Sequence, residues 1–257
     1  MSAAKQTWYM TMRHVMALWR QPWWIAVTLV QPVIWLLLYG ALFKRVVDIP
    51  GFHGGSYIAF LAPGVVMMTA VFSAGWGGMS MIEDLDRGVI DRFLVSPVRR
   101  SALINGRLLQ SSLSIAIQAL IIVGLALIVG AGFGGGVGGL AALIVISALL
   151  GTGFGALSNG LALLMRREES LIAVMQFLLL PLTFLSSAFM QADLAPGWIQ
   201  DAARFNPVNW AVEAGREAVS SGADWGLVAG RAGLLAAFAV LSAVFATRAF
   251  GTYQDSV

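Results

Sequence analysis

The chain predicts an all-α integral membrane protein with six transmembrane helices, and three observations carry that prediction. Of its 257 residues 58% are hydrophobic and 11% charged, against about 25% charged in ordinary soluble domains. The mean hydropathy is +0.80. Six apolar runs, at residues 23–43, 57–79, 111–131, 137–164, 171–190 and 227–250, match the roughly 20 residues of helix that a hydrocarbon core of about 30 Å demands. The runs are continuously apolar, whereas strands of a membrane barrel alternate apolar and polar residues. Helices therefore satisfy the backbone, and residues 1–257 read as a single transmembrane domain.

Ahead of the first run, Lys5 to Gln21 mixes Trp8, Met12, Val15, Met16 and Trp19 with charges and is closed by Pro22. This predicts an N-terminal amphipathic helix on the membrane surface; the irregular apolar spacing leaves a leader without a role as the competing reading. No small-residue cleavage site stands close behind a short apolar core, so the segment does not read as a removable signal peptide. Trp23 and Trp24 suit an interfacial aromatic belt. Pro32, Pro63 and Pro181 fall inside runs, where they kink or open a helix whose neighbours re-satisfy the freed carbonyls.

Gly130 to Gly139 holds seven glycines between the third and fourth runs. With no lysine following, it reads as a flexible outer hairpin rather than a phosphate cradle. Gly151 and Gly155 have the spacing that lets helices approach closely, within one bundle or between two copies. Residues 191–226 are too polar to span and too apolar for a free loop. Two short helices are predicted there, one from Pro196 through Gly197, Trp198 and Ile199, the other with Asn206 as cap and Pro207 at its first position. Glu213, Arg216 and Glu217 group at helical spacing on the second, and the pair is expected to cover the exit of a pathway.

The least membrane-like segment is Met81 to Arg107, with four carboxylates and five arginines in 27 residues. Such a density of charge belongs in water or at the membrane surface. Ile82, Leu85, Val89 and Phe93 recur at steps of three and four, opposite Glu83, Asp84, Arg87 and Asp91, which predicts one amphipathic rod broken at Ser96-Pro97, with Arg99 and Arg100 flanking the turn into the third span. Six crossings put both termini on one face, and that face collects eleven Lys and Arg residues against five on the other. The termini and the charged segment are therefore expected to be cytoplasmic.

Enzymatic chemistry lacks its residues. His14 and His53 are the two histidines and no cysteine is present, leaving neither a triad nor a metal site within reach. Lys5 and Lys44 follow no glycine-rich loop, so the chain has no P-loop. No acidic or basic residue sits in the middle of a run, so a proton relay or ion-coupling site has no obvious carrier there. The excess of 16 basic over 13 acidic residues is accounted for by topology, and nucleic acid binding is not implied. An active transporter built on this chain needs an energy source on another chain.

At these residues the sequence resembles the permease subunits of ABC-2 type ABC transporters, particularly their daunorubicin-resistance-like drug-export branch. One match runs through Glu83-Asp84, Gly88 to Phe93, Ser96 to Arg100 and Gly106-Arg107. A second, independent one comprises Phe184 to Phe189, Pro196-Gly197-Trp198, Asn206-Pro207 and the Glu213/Arg216 pair, with Ser187 where the family usually has glycine and no proline shortly after Phe189. The resemblance implies a multi-pass protein of a bacterial-type cytoplasmic membrane, paired with a second permease subunit as a homodimer and seated on separate ABC ATPase subunits. ATP and Mg would be bound by those ATPases and no cofactor by this chain.

Glu83, Asp84, Arg87, Gly88, Asp91, Arg92, Ser96, Pro97, Arg99 and Arg100 would couple to the ATPase. Pro196, Gly197, Trp198, Asn206, Pro207, Glu213 and Arg216 would form an outer gate. Met67, Met68, Phe72, Trp76, Met175, Phe177 and Phe184 are candidates for an apolar pathway, with packing against lipid and neighbouring helices as the competing role. The expected cargo is a hydrophobic or amphiphilic molecule, drug-like or lipid, moving outward. A lipid-linked polysaccharide or haem exporter of similar layout, and a membrane scaffold, are the alternatives.

Overall fold

A computed structural model describes residues 22–48, 56–88, 100–191 and 194–254. The surface helix expected over Lys5 to Gln21, and residues 89–99 of the charged segment, lie outside the described residues. The described chain is helical: α1 (Pro22–Leu42), a 3-10 turn (Lys44–Asp48), α2 (Tyr57–Gly75), α3 (Gly77–Asp86), α4 (Arg100–Ile128), α5 (Gly136–Met165), α6 (Glu168–Phe184), α7 (Gly197–Ala203), α8 (Pro207–Ala218) and α9 (Trp225–Gln254). Among the described residues four stretches are long and apolar enough to cross a membrane, Tyr57–Asp86, Leu108–Ile128, Gly136–Met165 and Trp225–Gly251, and Val27–Leu42 is a shorter apolar helix.

α2 is the axis of the bundle. Its residues are buried almost throughout, from Tyr57 to Gly75, because α1, α4, α5 and α8 all pack on it. The broadest helix contact joins α5 to α9, and glycines make it possible. A Cβ on Gly153 would stand 2.5 Å from the ring of Phe238, and one on Gly160 2.6 Å from that of Phe245. Two rings seven residues apart on α9 thus fill two notches seven residues apart on α5, a ridge-and-groove fit that gains dispersion contact where lipid offers no hydrophobic drive. Gly151 faces Ile115 of α4, with a would-be Cβ 2.1 Å from its Cδ1, so that small-residue spacing packs helices of this chain against one another.

Three expectations change. The amphipathic rod does not run on to Phe93: the helix ends at Asp86, and Gly88 adopts φ +63, a left-handed conformation that glycine enters without steric cost and that stops a helix. The helix of the third run, α4, opens at Arg100, well before the apolar part of that run. The fifth run is helical to Phe184 rather than to Met190. The Gly130–Gly139 stretch is no free hairpin. Gly135 donates its N–H to the Val219 carbonyl at 2.9 Å, and a Cβ on Gly135 or Gly139 would lie 2.2 or 2.1 Å from the Ala218 carbonyl oxygen, so the glycines there permit close backbone approach to the end of α8.

Candidate functional site

Two polar constructions mark opposite ends of α2. At the α3 end the helical ladder breaks at Trp76, and α3 begins at once with Gly77. Ser158, deep in α5 and fully buried, spans the break: its hydroxyl donates to the Gly75 carbonyl and accepts the N–H of Gly78 at 3.1 Å. A serine inserted into an interrupted ladder re-satisfies backbone groups that would otherwise be stranded in an apolar interior. Gly78 lies so close to α5 that a Cβ there would be 2.6 Å from both oxygens of Ser158, whereas nothing lies within 4 Å of one on Gly77.

From this joint α3 carries the first part of the charged segment outward. Met81 and Ile82 are buried, and Leu85 packs on the core. Glu83, Asp86 and Arg87 are exposed, with Asp84 partly so. The apolar face is thus consumed inside the bundle and the charges are presented to the surroundings. Asp91, Arg92, Ser96, Pro97 and Arg99 lie outside the described residues.

At the other end α8 lies across the bundle, reaching α2, α5, α6 and α9. Its start follows from local chemistry: Asn206 accepts the Val208 N–H at 2.9 Å and Pro207 takes the first position. The same Asn206 amide donates to the carbonyls of Leu182 at 2.6 Å and Leu185 at 3.2 Å. Asn209, nearly fully buried, accepts the Ser187 N–H at 2.9 Å and donates to Glu213 at 2.7 Å. Residues 185–190 leave the helical ladder after α6, and side chains of α8 supply the partners that their backbone needs. That competition explains why α6 stops at Phe184.

Arg216 completes the clamp. Its Nη2 donates to the Ser187 carbonyl at 3.0 Å and, with Nε, to the Phe60 carbonyl at 3.4 Å, while its guanidinium carbon sits 3.7 Å from the centre of the Phe60 ring. Burial pulls the Arg216 pKa down to about 9, with Glu213 acting in the opposite direction; the group remains a cation at neutral pH. Glu213 does not close on Arg216 but on Arg231 of α9, at 2.7 Å. Trp210 donates to the Arg204 carbonyl at 2.7 Å, tying α8 to α7. Pro196 caps α7, and Gly197 and Trp198 at its start are exposed.

The pathway candidates separate into three places. Met67 and Met175 are fully buried, near Gly215 and Gly75 respectively. Met68, Phe72 and Trp76 line a groove between α1 and α2 with Thr28, Gln31 and Trp35. Phe184 lines a cavity at the α8 end, and Phe177 is 83% exposed. Sequence reasoning missed Ser158, Asn209 and Arg231. The first was detectable as part of a polar pair, Ser158-Asn159, inside an apolar run.

Comparison with known proteins bears on what this arrangement does. The sequence model of the ABC-2 type transporter family matches residues 5–219, which takes in both ends of α2, the charged segment and all of α8. The chain is 29% identical to the daunorubicin resistance ABC transporter permease protein DrrB1 of Streptomyces coeruleorubidus over 90% of its own length and 82% of that protein. It is 30% identical to the putative transport permease ycf38 of Cyanophora paradoxa, over 76% of this chain and 67% of the relative. A shorter match, 32% identical over 40% of each chain, is to the inner membrane transport permease YadH of Escherichia coli strain K12. An apolar helical bundle with one buried axis, polar constructions at both its ends and a family match across most of its length leads to one conclusion: the chain belongs to the ABC-2 type transporter family, as a multi-pass membrane permease subunit.

Proposed function

We propose that this permease is the membrane half of an ATP-driven exporter of hydrophobic or amphiphilic molecules, powered by ABC ATPase subunits on separate chains that bind ATP and Mg. Two permease copies pair, and each contributes six crossings: α1, α2 with α3, α4, α5, α6 and α9. Both termini and residues 81–107 face the cytoplasm, and the α7–α8 end faces outward. The observation that carries this reading is the continuity of α2, which joins the Arg216 contact at Phe60 to the Ser158 joint above α3. Displacement of the exposed Glu83 and Arg87 by a partner therefore acts on one buried helix that ends at the outer clamp. Coupling through a rigid element with a defined joint is the physical form such transmission takes.

In co-expression with an ABC ATPase subunit that co-purifies with the parent permease, Asp91→Arg or Pro97→Ala is expected to leave the yield of folded permease unchanged and to weaken ATPase co-purification or export. Unchanged co-purification together with unchanged export in both variants overturns the coupling role of the segment. The topology has its own test, because the chain contains no cysteine. Single cysteines at Ser96 and Ser220 should be labelled by a membrane-impermeant maleimide from opposite sides, and labelling from the same side removes the six-crossing layout.

A further inference from the structure

We infer that Gln176, midway along α6, pairs with Gln176 of a second copy of this chain and thereby selects an identical permease as partner; this rests on the pairing of two permeases proposed above and names the residue that decides it.

The first observation is where polar side chains meet the surroundings. On α4 from Leu113 to Ile128, on α5 from Ala141 to Leu164 and on α9 from Leu227 to Val244, every exposed residue is apolar or glycine, as a lipid surround requires. Two exposed amides on the other apolar helices depart from this, Gln31 on α1 and Gln176 on α6. Gln31 opens on the groove between α1 and α2, beside Thr28. The Gln176 amide makes no hydrogen bond among the described residues. It stands seven residues beyond Glu169, about 10 Å of helix rise, too deep for so short a side chain to reach the headgroups.

The helix that carries it is also open. α6 buries Leu171, Met175, Leu179 and Thr183, one line at four-residue steps, and leaves most of its circumference uncovered. Its 17 residues span about 25 Å, less than the roughly 30 Å hydrocarbon core, and non-helical backbone follows at 185–190. Such backbone persists at membrane depth only where protein surrounds it. α8 covers one side through Asn206, Asn209 and Arg216, while Phe184 and Met190 remain 62% and 43% exposed.

Symmetry identifies what covers the rest. Ala173, Gln176, Leu180 and Phe184 succeed one another at steps of three and four, and all are exposed, the spacing of a helix-pairing seam. Two identical permeases inserted the same way are related by a two-fold axis along the membrane normal. Their α6 helices then run parallel, with residue 176 of each at one depth. An amide carries both donors and an acceptor, so it meets its own image with N–H opposite carbonyl. A single polar residue in an apolar seam fixes register and partner number in this way. A different permease with a hydrocarbon side chain at that depth leaves the amide unmet, and identity is selected by what the wrong partner fails to supply.

The chain has no cysteine, so single cysteines report the contact directly. In membranes of expressing cells the short cross-linker bismaleimidoethane is expected to join two copies of Ala173→Cys and to leave Leu241→Cys, 69% exposed on α9, as monomer. In phosphatidylcholine liposomes, energy transfer between separately labelled copies should show Gln176→Leu dimers dissociating at about fivefold higher density than the parent, with Gln176→Asn close to the parent. Co-expressed parent and Gln176→Leu copies should form fewer mixed dimers than random pairing gives.

Cross-linking at Leu241→Cys in place of Ala173→Cys, Gln176→Leu dimers as tight as the parent, or mixed dimers at the random level overturns the assignment and spares the pairing of permeases. An Ala173→Cys product of another mass than twice the permease gives this face to a different protein and overturns the choice of partner. A parent chain that stays monomeric at every density overturns the pairing and the assignment together. No ATPase or cargo enters these assays, so loss of export function elsewhere leaves the result standing.

Discussion

Replacing Arg216 by methionine is expected to be the most damaging single change outside the helix–helix contacts, lowering the unfolding midpoint of the detergent-solubilised permease by about 10 °C. The side chain of methionine keeps much of the apolar volume, so the loss isolates the guanidinium. The Ser187 carbonyl loses the Arg216 donor and the Phe60 carbonyl loses its contact with the same guanidinium, and weakening the satisfaction of buried acceptors costs about 1–3 kcal/mol. The contact with the Phe60 ring adds about 1 kcal/mol more. Arg216 is desolvated enough to lower its pKa but keeps part of its surface exposed, which holds the total near about 3 kcal/mol rather than at the upper limit of these terms.

Arg216→Lys should recover little, because a compact ammonium cannot hold two divergent carbonyls and lie flat over a ring at once. Arg231→Ala supplies the contrast. Its pair with Glu213 is about 30% exposed on both sides, and its loss should cost no more than about 1 kcal/mol. A midpoint for Arg216→Met within two or three degrees of the parent, or equal shifts for Arg216→Met and Arg231→Ala, would contradict the clamp.

The features that sequence made visible are those set by local rules. The helical character of the apolar runs, the internal prolines of α1, α2 and α6, the cap at Asn206-Pro207 and the short helix after Pro196 all depend on residues within a turn or two of one another; these stand in the fold, with four stretches among the described residues long and apolar enough to cross a membrane and the fifth run helical only to Phe184. The hidden features depend on which helix becomes whose neighbour. Gly153 and Gly160 look like any helix glycines until Phe238 and Phe245 are seen to fill their notches. Glu213 sits three residues from Arg216 and yet pairs with Arg231 across to α9. The glycine-rich stretch looked mobile because glycine permits motion, but it equally permits contact, and here the end of α8 uses the contact.

In the charged segment the three- and four-residue apolar rhythm was real as far as Leu85, and Gly88 then ended the helix that the rhythm alone would have extended. Periodicity reports which face can be buried, and says nothing of where the backbone turns. The pathway candidates show the same limit. Met67 and Phe72 are five residues apart on α2, one fully buried and the other at the edge of a groove.

Gly78→Val is expected to uncouple the permease from its ATPase, with Gly77→Val as the matched control. The two glycines are adjacent at the start of α3, so helix propensity and strain at a β-branched side chain affect both alike. Only their surroundings differ. At Gly78 the first carbon of any side chain meets the Ser158 carbonyl oxygen and hydroxyl at 2.6 Å and its carbonyl carbon at 2.9 Å; at Gly77 it meets open space. The obstructing atoms include backbone in the middle of α5, which is itself locked to α9, so α3 must move away instead, at a cost of about 1–3 kcal/mol or more.

That movement tears the Gly78 N–H from Ser158 and swings Glu83 and Arg87 relative to α2. In a reconstituted permease–ATPase complex the stimulation of ATP hydrolysis by the permease should fall about tenfold, a coupling loss in the usual range for linked sites, while Gly77→Val stays near the parent. Ser158→Ala should act in the same direction and less strongly, since it strands the Gly75 carbonyl without forcing α3 outward. Matching hydrolysis in the two glycine variants would mean that the joint at Trp76 transmits nothing, and the continuity of α2 with the charged segment would then be a matter of packing alone.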